Sequence, residues 1–115
     1  MNLRSRERVS TQVFGTGTIP ATGEPFSFQA EDFTTLGMRL IIDGCVPEVG
    51  NRLKLAFQIP DPNGQMVEAK VHAQVVRGAE VDGMAYGVRW IIGNNKKALE
   101  LIENFYLERF FDGRA

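Results

Sequence analysis

Two groups of residues in this 115-residue chain have types and spacings suited to holding a ligand. The first is Arg4-Ser-Arg-Glu-Arg8, ahead of the first apolar alternation. A spacing of four puts Arg4 and Arg8 on one side whether the segment is extended or helical. Two guanidinium forks on one side suit an anion with several acceptor oxygens, and they also stack on flat rings. A solvated basic tail has the same pattern. The second group is Asp32-Phe-Thr34-Thr-Leu-Gly37. Asp32 keeps the parity of Phe26, Phe28 and Ala30, so in a regular strand its carboxylate would face the core. An unpaired buried carboxylate is costly. The spacing therefore predicts a bend or bulge that aims Asp32 and Thr34, two residues apart, at the rim of the sheet. Gly37 then permits a tight turn or a close backbone approach. A ligand-free turn closed by the Asp or Thr side chain accounts for the same residues.

Catalytic chemistry finds no comparable support. A metal site needs three or four ligands, and His72 and Cys45 lie far apart in sequence as the chain's single His and single Cys. His72 alternates onto the polar side of its strand, which predicts a solvated imidazole. Cys45 is followed by Val46-Pro47 at a turn, with no neighbouring base in sequence to activate it. Gly15-Thr16-Gly17 lacks the lysine and the helix that would follow a phosphate loop. No carboxylate pair stands out as acid and base. The expectation is a protein that binds rather than catalyses, with no metal and no cofactor.

The elements that must position these residues follow from a period of two. Leu53, Leu55, Phe57 and Ile59 alternate with Arg52, Lys54, Ala56 and Gln58, and Val67 to Val75 repeats the pattern. Such runs are strands with one face buried and one solvated, the antiparallel habit. Pro-Asp-Pro-Asn-Gly at 60–64 joins them as a hairpin. Further strands are predicted at Val9 to Phe14, around Phe26, Phe28 and Ala30, around Met38, Leu40 and Ile42, and around Tyr86, Val88 and Trp90. Asp43-Gly44 and Asp82-Gly83 supply turns. Six short strands with no helix between them predict a mainly β protein, a six-stranded antiparallel β-barrel.

After Trp90 the period changes. Asn94 or Asn95 is suited to cap a helix in which Ala98, Leu99, Ile102, Phe105, Tyr106 and Phe110 recur at three and four. Leu101, Leu107 and Phe111 lie off that stripe, so the C-terminal α-helix either docks deeply on the barrel or offers an apolar face to a partner. The expected plan is one domain: an Arg-rich flexible arm over 1–8, a barrel over 9–92 and a helix over 95–110.

Apolar residues make up 43% of the chain, a globular composition. A net charge of −1 argues against a domain that coats DNA or RNA, which would carry a basic surplus. One cysteine excludes an internal disulfide and fits a reducing compartment. The first ten residues carry charge with no apolar stretch behind them, and no run approaches the ~20 apolar residues of a membrane span. A cytoplasmic protein without membrane insertion is expected.

Taken with these motifs, the chain resembles the PilZ domain family, a six-stranded antiparallel barrel of split-barrel type with a C-terminal helix. The family's cyclic di-GMP site is written RxxxR, then some twenty residues on, (D/N)xSxxG. Here Arg4 and Arg8 match the first motif, and Asp32, Thr34 and Gly37 the second, with threonine standing for the usual serine. Leu36 stands where many members have a second glycine. Met38-Arg39-Leu40, Val49-Gly50 and Tyr86-Gly87-Val88-Arg89-Trp90 also look like the family. The resemblance implies that Arg4 and Arg8 clamp the nucleotide, that Asp32 and Thr34 hold it at the rim, and that Gly37 leaves room. It also implies a receptor that relays the second messenger to a protein partner. Two other readings stand beside it. One is an adaptor of the same fold that binds a protein without nucleotide. The other is a single-stranded RNA binder, opposed by the acidic balance and by the absence of aromatics on the expected solvated strand faces.

Overall fold

In the computed structural model, which describes residues 9–34, 36–80, 85–91 and 96–114, the alternating segments form six antiparallel strands. These are β1 (Val9–Ile19), β2 (Glu24–Phe33), β3 (Gly37–Asp43), β4 (Arg52–Pro60), β5 (Met66–Glu80) and β6 (Ala85–Trp90). They close into a barrel in the order β1-β2-β3-β6-β5-β4. A C-terminal helix, α1 (Lys96–Arg114), comes after the last strand.

The inward set is the one the alternation selects. Phe26, Phe28 and Ala30, Met38, Leu40 and Ile42, Leu53 to Ile59 at every second position, Ala69 to Val75 likewise, and Tyr86, Val88 and Trp90 are all buried. Turn chemistry sets the hairpin ends. The Asp61 carboxylate accepts from the amides of Asn63 and Gln65 at 2.8 and 2.9 Å, closing the β4–β5 hairpin. Such side-chain acceptors are why Asp is favoured there.

The predicted first strand ended at Phe14, yet β1 runs on through Gly15-Thr16-Gly17 to Ile19. The two glycines stand opposite Phe28 and Phe26 on β2 and opposite Phe57 and Leu55 on β4. A Cβ at Gly15 would lie 2.5 Å from the Ala56 carbonyl oxygen and 2.6 Å from the Phe28 ring. One at Gly17 would lie 2.5 Å from the Phe26 ring and 2.6 Å from the Lys54 carbonyl oxygen. These glycines therefore serve close packing inside a strand rather than a break in it. The rings they admit begin an aromatic series through the core. Phe26 meets Phe28 at 6.3 Å, Phe28 meets Phe57 edge-on at 6.1 Å, and Phe57 stacks on Trp90 at 6.5 Å. Pairs at these separations stabilise beyond the area they bury.

At the Trp90 end, α1 stops the barrel mouth. Ile102 and Phe105 share a small apolar recess with Val13, Ala30, Met38, Phe57, Ile59 and Trp90. Tyr106 is buried beside them, and Ala98, Leu99 and Leu101 are half-buried against the core. Leu101, off the expected stripe, is thus absorbed by docking, whereas Leu107 stays 38% exposed. The described helix covers Lys96–Arg114 and so runs four residues past the expected end at 110, while residue 95 lies outside the described residues. Its first turn holds no acidic residue and opens on Lys96-Lys97, the wrong sign for a helix N-terminus. Packing therefore holds it, with each fully buried side chain adding roughly 1.5–3 kcal/mol at most. The expected caps, Asn94 and Asn95, and the Asp82-Gly83 turn lie outside the described residues.

Two expectations about the solvated faces need correction. His72 is half-buried, and its Nδ1 is buried without a hydrogen-bond partner among the described residues. The chain leaving β6 crosses beside it, Ile91 N donating to the His72 carbonyl at 2.9 Å. Phe14, moreover, stands 65% exposed on the outer face of β1, so the solvated faces are not free of aromatics.

Gly15→Ala should lower stability by about 1–3 kcal/mol, the usual cost of overpacking. Urea unfolding followed by circular dichroism checks it; an unchanged midpoint would mean that β1 and β4 do not approach as closely as described.

Candidate functional site

The rim of the barrel at the helix end carries the segment 32–37. Its entry is a register change. Ala30 pairs with Leu40 but Asp32 pairs with Arg39, so Glu31 is the extra residue of a bulge. The bend expected from the parity of Asp32 is therefore present, and it puts Asp32 at the register position opposite Arg39, between buried Met38 and Leu40. The displaced Glu31 reaches across to Arg39, its Oε1 lying 3.3 Å from Nε. That Nε is buried and not aligned for a hydrogen bond, so the pair is held by charge alone.

After the bulge the rim closes on itself. Thr34 N donates to the Gly37 carbonyl at 2.8 Å. Leu36 N donates to Thr34 Oγ1 at 3.0 Å, while Trp90 N donates to the Leu36 carbonyl at 2.9 Å. The Thr34 hydroxyl thus closes a local turn, with its oxygen as acceptor and its O–H left to donate. Gly37 opens β3 against Arg89 of β6. A Cβ there would collide with the Val88 carbonyl oxygen, so the glycine is required by the strand pairing itself. Leu36 between them is 51% exposed.

Of the five expected binding residues, Thr34 and Gly37 stand together at this rim, and Asp32 occupies the neighbouring strand position. Arg4 and Arg8 lie outside the described residues. The residue after Arg8 is placed: Val9 pairs with Phe33, so β1 starts beside the residue between Asp32 and Thr34.

The register also gathers residues that sequence reading did not connect. One row across four strands reads Asp32, Arg39, Gly87, Arg77, and the next reads Gly37, Arg89, Gln74, Arg52. Arg39 and Arg89 alternate with buried neighbours, which was visible in sequence; their adjacency depends on the pairing of β3 with β6, which was not. Arg77 was hidden more deeply. Val75 pairs with Val88 and Arg77 with Gly87, so Val76 is a second bulge that turns Arg77 to the outer face.

Two other ionisable groups, Cys45 and Tyr86, lie away from their ordinary values. Burial pushes the Cys45 thiol up, with a further push from the Glu24 carboxylate, so the thiol stays protonated at neutral pH. Burial raises the Tyr86 hydroxyl likewise, with Cys45 adding to it. Among the described residues no three His, Cys, Asp or Glu side chains come together as metal ligands. No described helix is long and apolar enough to cross a membrane.

Comparison with known proteins agrees with this fold. The family model of the PilZ domain matches residues 2–108. Among solved structures, the PilZ domain of YcgR from Escherichia coli, determined with c-di-GMP, superposes with a TM-score of 0.66 at 14% identity. That match covers 98% of this chain and 95% of the other. The PilZ domain of CeSA from a cellulose-synthesizing bacterium superposes with a TM-score of 0.65 at 13% identity, over 90% and 99% of the two chains. At such identities these likenesses speak to the fold. Comparison with curated proteins returns no match.

Two outcomes are expected. Gly37→Ala should cost about 1–3 kcal/mol in urea unfolding, because the Val88 carbonyl must move to admit the methyl group. Alkylation of Cys45 should show a pH midpoint above that of a free cysteine; a midpoint below it would mean the thiol is activated rather than buried.

Proposed function

Since the chain belongs to the PilZ domain family, we propose that it is a receptor domain for cyclic di-GMP that relays the bound state to a protein partner. The observation that carries this reading is the arrangement at the rim. The Asp32-x-Thr34-x-x-Gly37 segment adjoins Val9, and Val9 comes directly after the Arg4-x-x-x-Arg8 segment.

The chemistry suits the ligand. Cyclic di-GMP carries two phosphates and two guanines. Arginine forks bond bidentately to phosphate oxygens or to guanine O6 and N7, which is the part proposed for Arg4 and Arg8. An ionised Asp32 accepts from the N–H donors of the guanine pairing edge. The Thr34 hydroxyl, whose oxygen already accepts from Leu36 N, donates its hydrogen to an acceptor on the nucleotide. Gly37 keeps the rim low beside them.

In this reading residues 1–8 form an arm that orders over a barrel of residues 9–92 when the nucleotide binds, and the helix near 95–110 completes one cytoplasmic, non-catalytic domain. The change of surface at the rim is what the partner detects. The rim also touches the barrel plug: the Leu36 carbonyl holds Trp90 N, and Trp90 and Met38 share the recess of Ile102 and Phe105.

Calorimetric titration with cyclic di-GMP, GTP and cyclic GMP tests the reading. Binding of the dinucleotide should exceed that of the other two, and Arg8→Ala should weaken it roughly thirtyfold or more with an unchanged melting temperature. Asp32→Ala should also weaken it, and Arg6→Ala least of the three. Equal losses for Arg6→Ala and Arg8→Ala would reduce the arm to diffuse charge. No heat from folded protein would leave the adaptor that binds a partner without nucleotide.

A further inference from the structure

The outer face of β3, β6 and β5 carries a feature that the two expected motifs do not use. Arg39 stands opposite Gly87 and Arg89 opposite Gly37, so each arginine on these paired strands faces a residue with no side chain. Gly87 lies between buried Tyr86 and Val88 and therefore presents its bare backbone outward. On its other side comes Arg77, turned out by the Val76 bulge. A Cβ on Gly87 would lie 3.3 Å from the Arg77 Cβ, which places the two on the same face. The result is a shallow with a backbone floor and three arginines around it. It is continuous with the rim, because Asp32 holds the next place in the row of Arg39, Gly87 and Arg77, and Gly37 the next place beside Arg89.

The three arginines differ in how far they are already engaged. Arg39 is half-buried and paired with Glu31. Arg77 and Arg89 are exposed and make no ion pair with a described residue. Cross-strand neighbours sit about 5 Å apart and diagonal ones about 7–8 Å. At those separations the heads of Arg77 and Arg89 can converge on one anion above Gly87. Two unengaged guanidinium groups over a flat floor offer several parallel N–H donors, which fits a phosphodiester with two free oxygens.

We propose that this shallow seats a phosphodiester of the bound cyclic dinucleotide, with Arg77 and Arg89 as its donors and Gly87 as its floor. The proposal rests on the cyclic di-GMP reading above and assigns it a second contact surface, next to the rim turn. It also gives a task to the Tyr86-to-Trp90 segment, whose likeness to the family had carried no role.

The test compares Arg77→Gln and Arg89→Gln with Lys54→Gln, which removes the same charge from the outer face of β4, opposite His72. All three residues are exposed, so the variants should fold, and melting curves verify it. Calorimetry with cyclic di-GMP at low and high salt is the readout. Each arginine variant should lose roughly tenfold or more in affinity at low salt, with a smaller loss at high salt as screening weakens the phosphate contact. Lys54→Gln should lose less than either. If the intact chain binds and the arginine variants lose no more than Lys54→Gln, the shallow is not a contact surface and only this proposal falls. If the intact, folded chain does not bind cyclic di-GMP, the receptor reading falls and takes the proposal with it.

Discussion

The barrel depends on two seams where strands distant in sequence come within reach of each other's carbonyls. Neighbouring hairpins account for β1–β2, β2–β3, β4–β5 and β5–β6, but closure requires β1 to meet β4 and β3 to meet β6. At the first seam, Cβ atoms on Gly15 and Gly17 would crowd the carbonyls of Ala56 and Lys54. At the second, one on Gly37 would collide with the Val88 carbonyl. Non-local pairings bear the largest loop-closure cost, so a side chain that held either seam apart would act where the fold can least absorb it. The Gly37 seam also ends at the rim. The position that lets β3 and β6 pair is thus the one that fixes the turn of Thr34 and Leu36.

Much of this was legible in the sequence because it rests on parity. The inward residues of β2, β3, β4 and β6 follow from alternation alone, as does the misfit of Asp32, which foretold the bulge now seen at Glu31. The helix was legible from its change of period. The length of β1 was not, because Gly15 and Gly17 carry no side chain and so no parity; their role appears only against Phe28 and Phe26 on the neighbouring strand. His72 was misread for a related reason. Alternation tells which face a residue takes but not how far that face is covered, and His72 is half-buried on it.

At the candidate site the division is the same. The types and spacing of Asp32, Thr34 and Gly37 marked a rim turn, and the Thr34 hydroxyl closes it by accepting from Leu36 N. Gly37 was expected to serve a turn or a close approach, and the strand pairing selects the second. The arginines of β3, β5 and β6 could not be gathered from spacing, because Arg39, Arg77 and Arg89 are brought together by the Val76 bulge and a non-local register. A net charge of −1 gave no hint of them either. Composition sums over the whole surface, while a ligand meets one face of it.

The distribution of polarity decides where any nucleotide can sit. Among the described residues no charged side chain is fully buried, and the interior is filled by the aromatic series from Phe26 to Trp90 with α1 stopping its mouth. The recess beneath the helix is lined wholly by apolar side chains, and a phosphate placed there would lose its hydration with nothing to replace it. An anionic ligand is therefore confined to the outside of the barrel. There, alternation sends Arg39 and Arg89 outward, the Val76 bulge turns Arg77 to the same face, and Gly37 and Gly87, opposite Arg89 and Arg39, leave the backbone between them bare. Gly37 alone serves both ends, letting β3 and β6 pair closely and leaving the place beside Arg89 without a side chain.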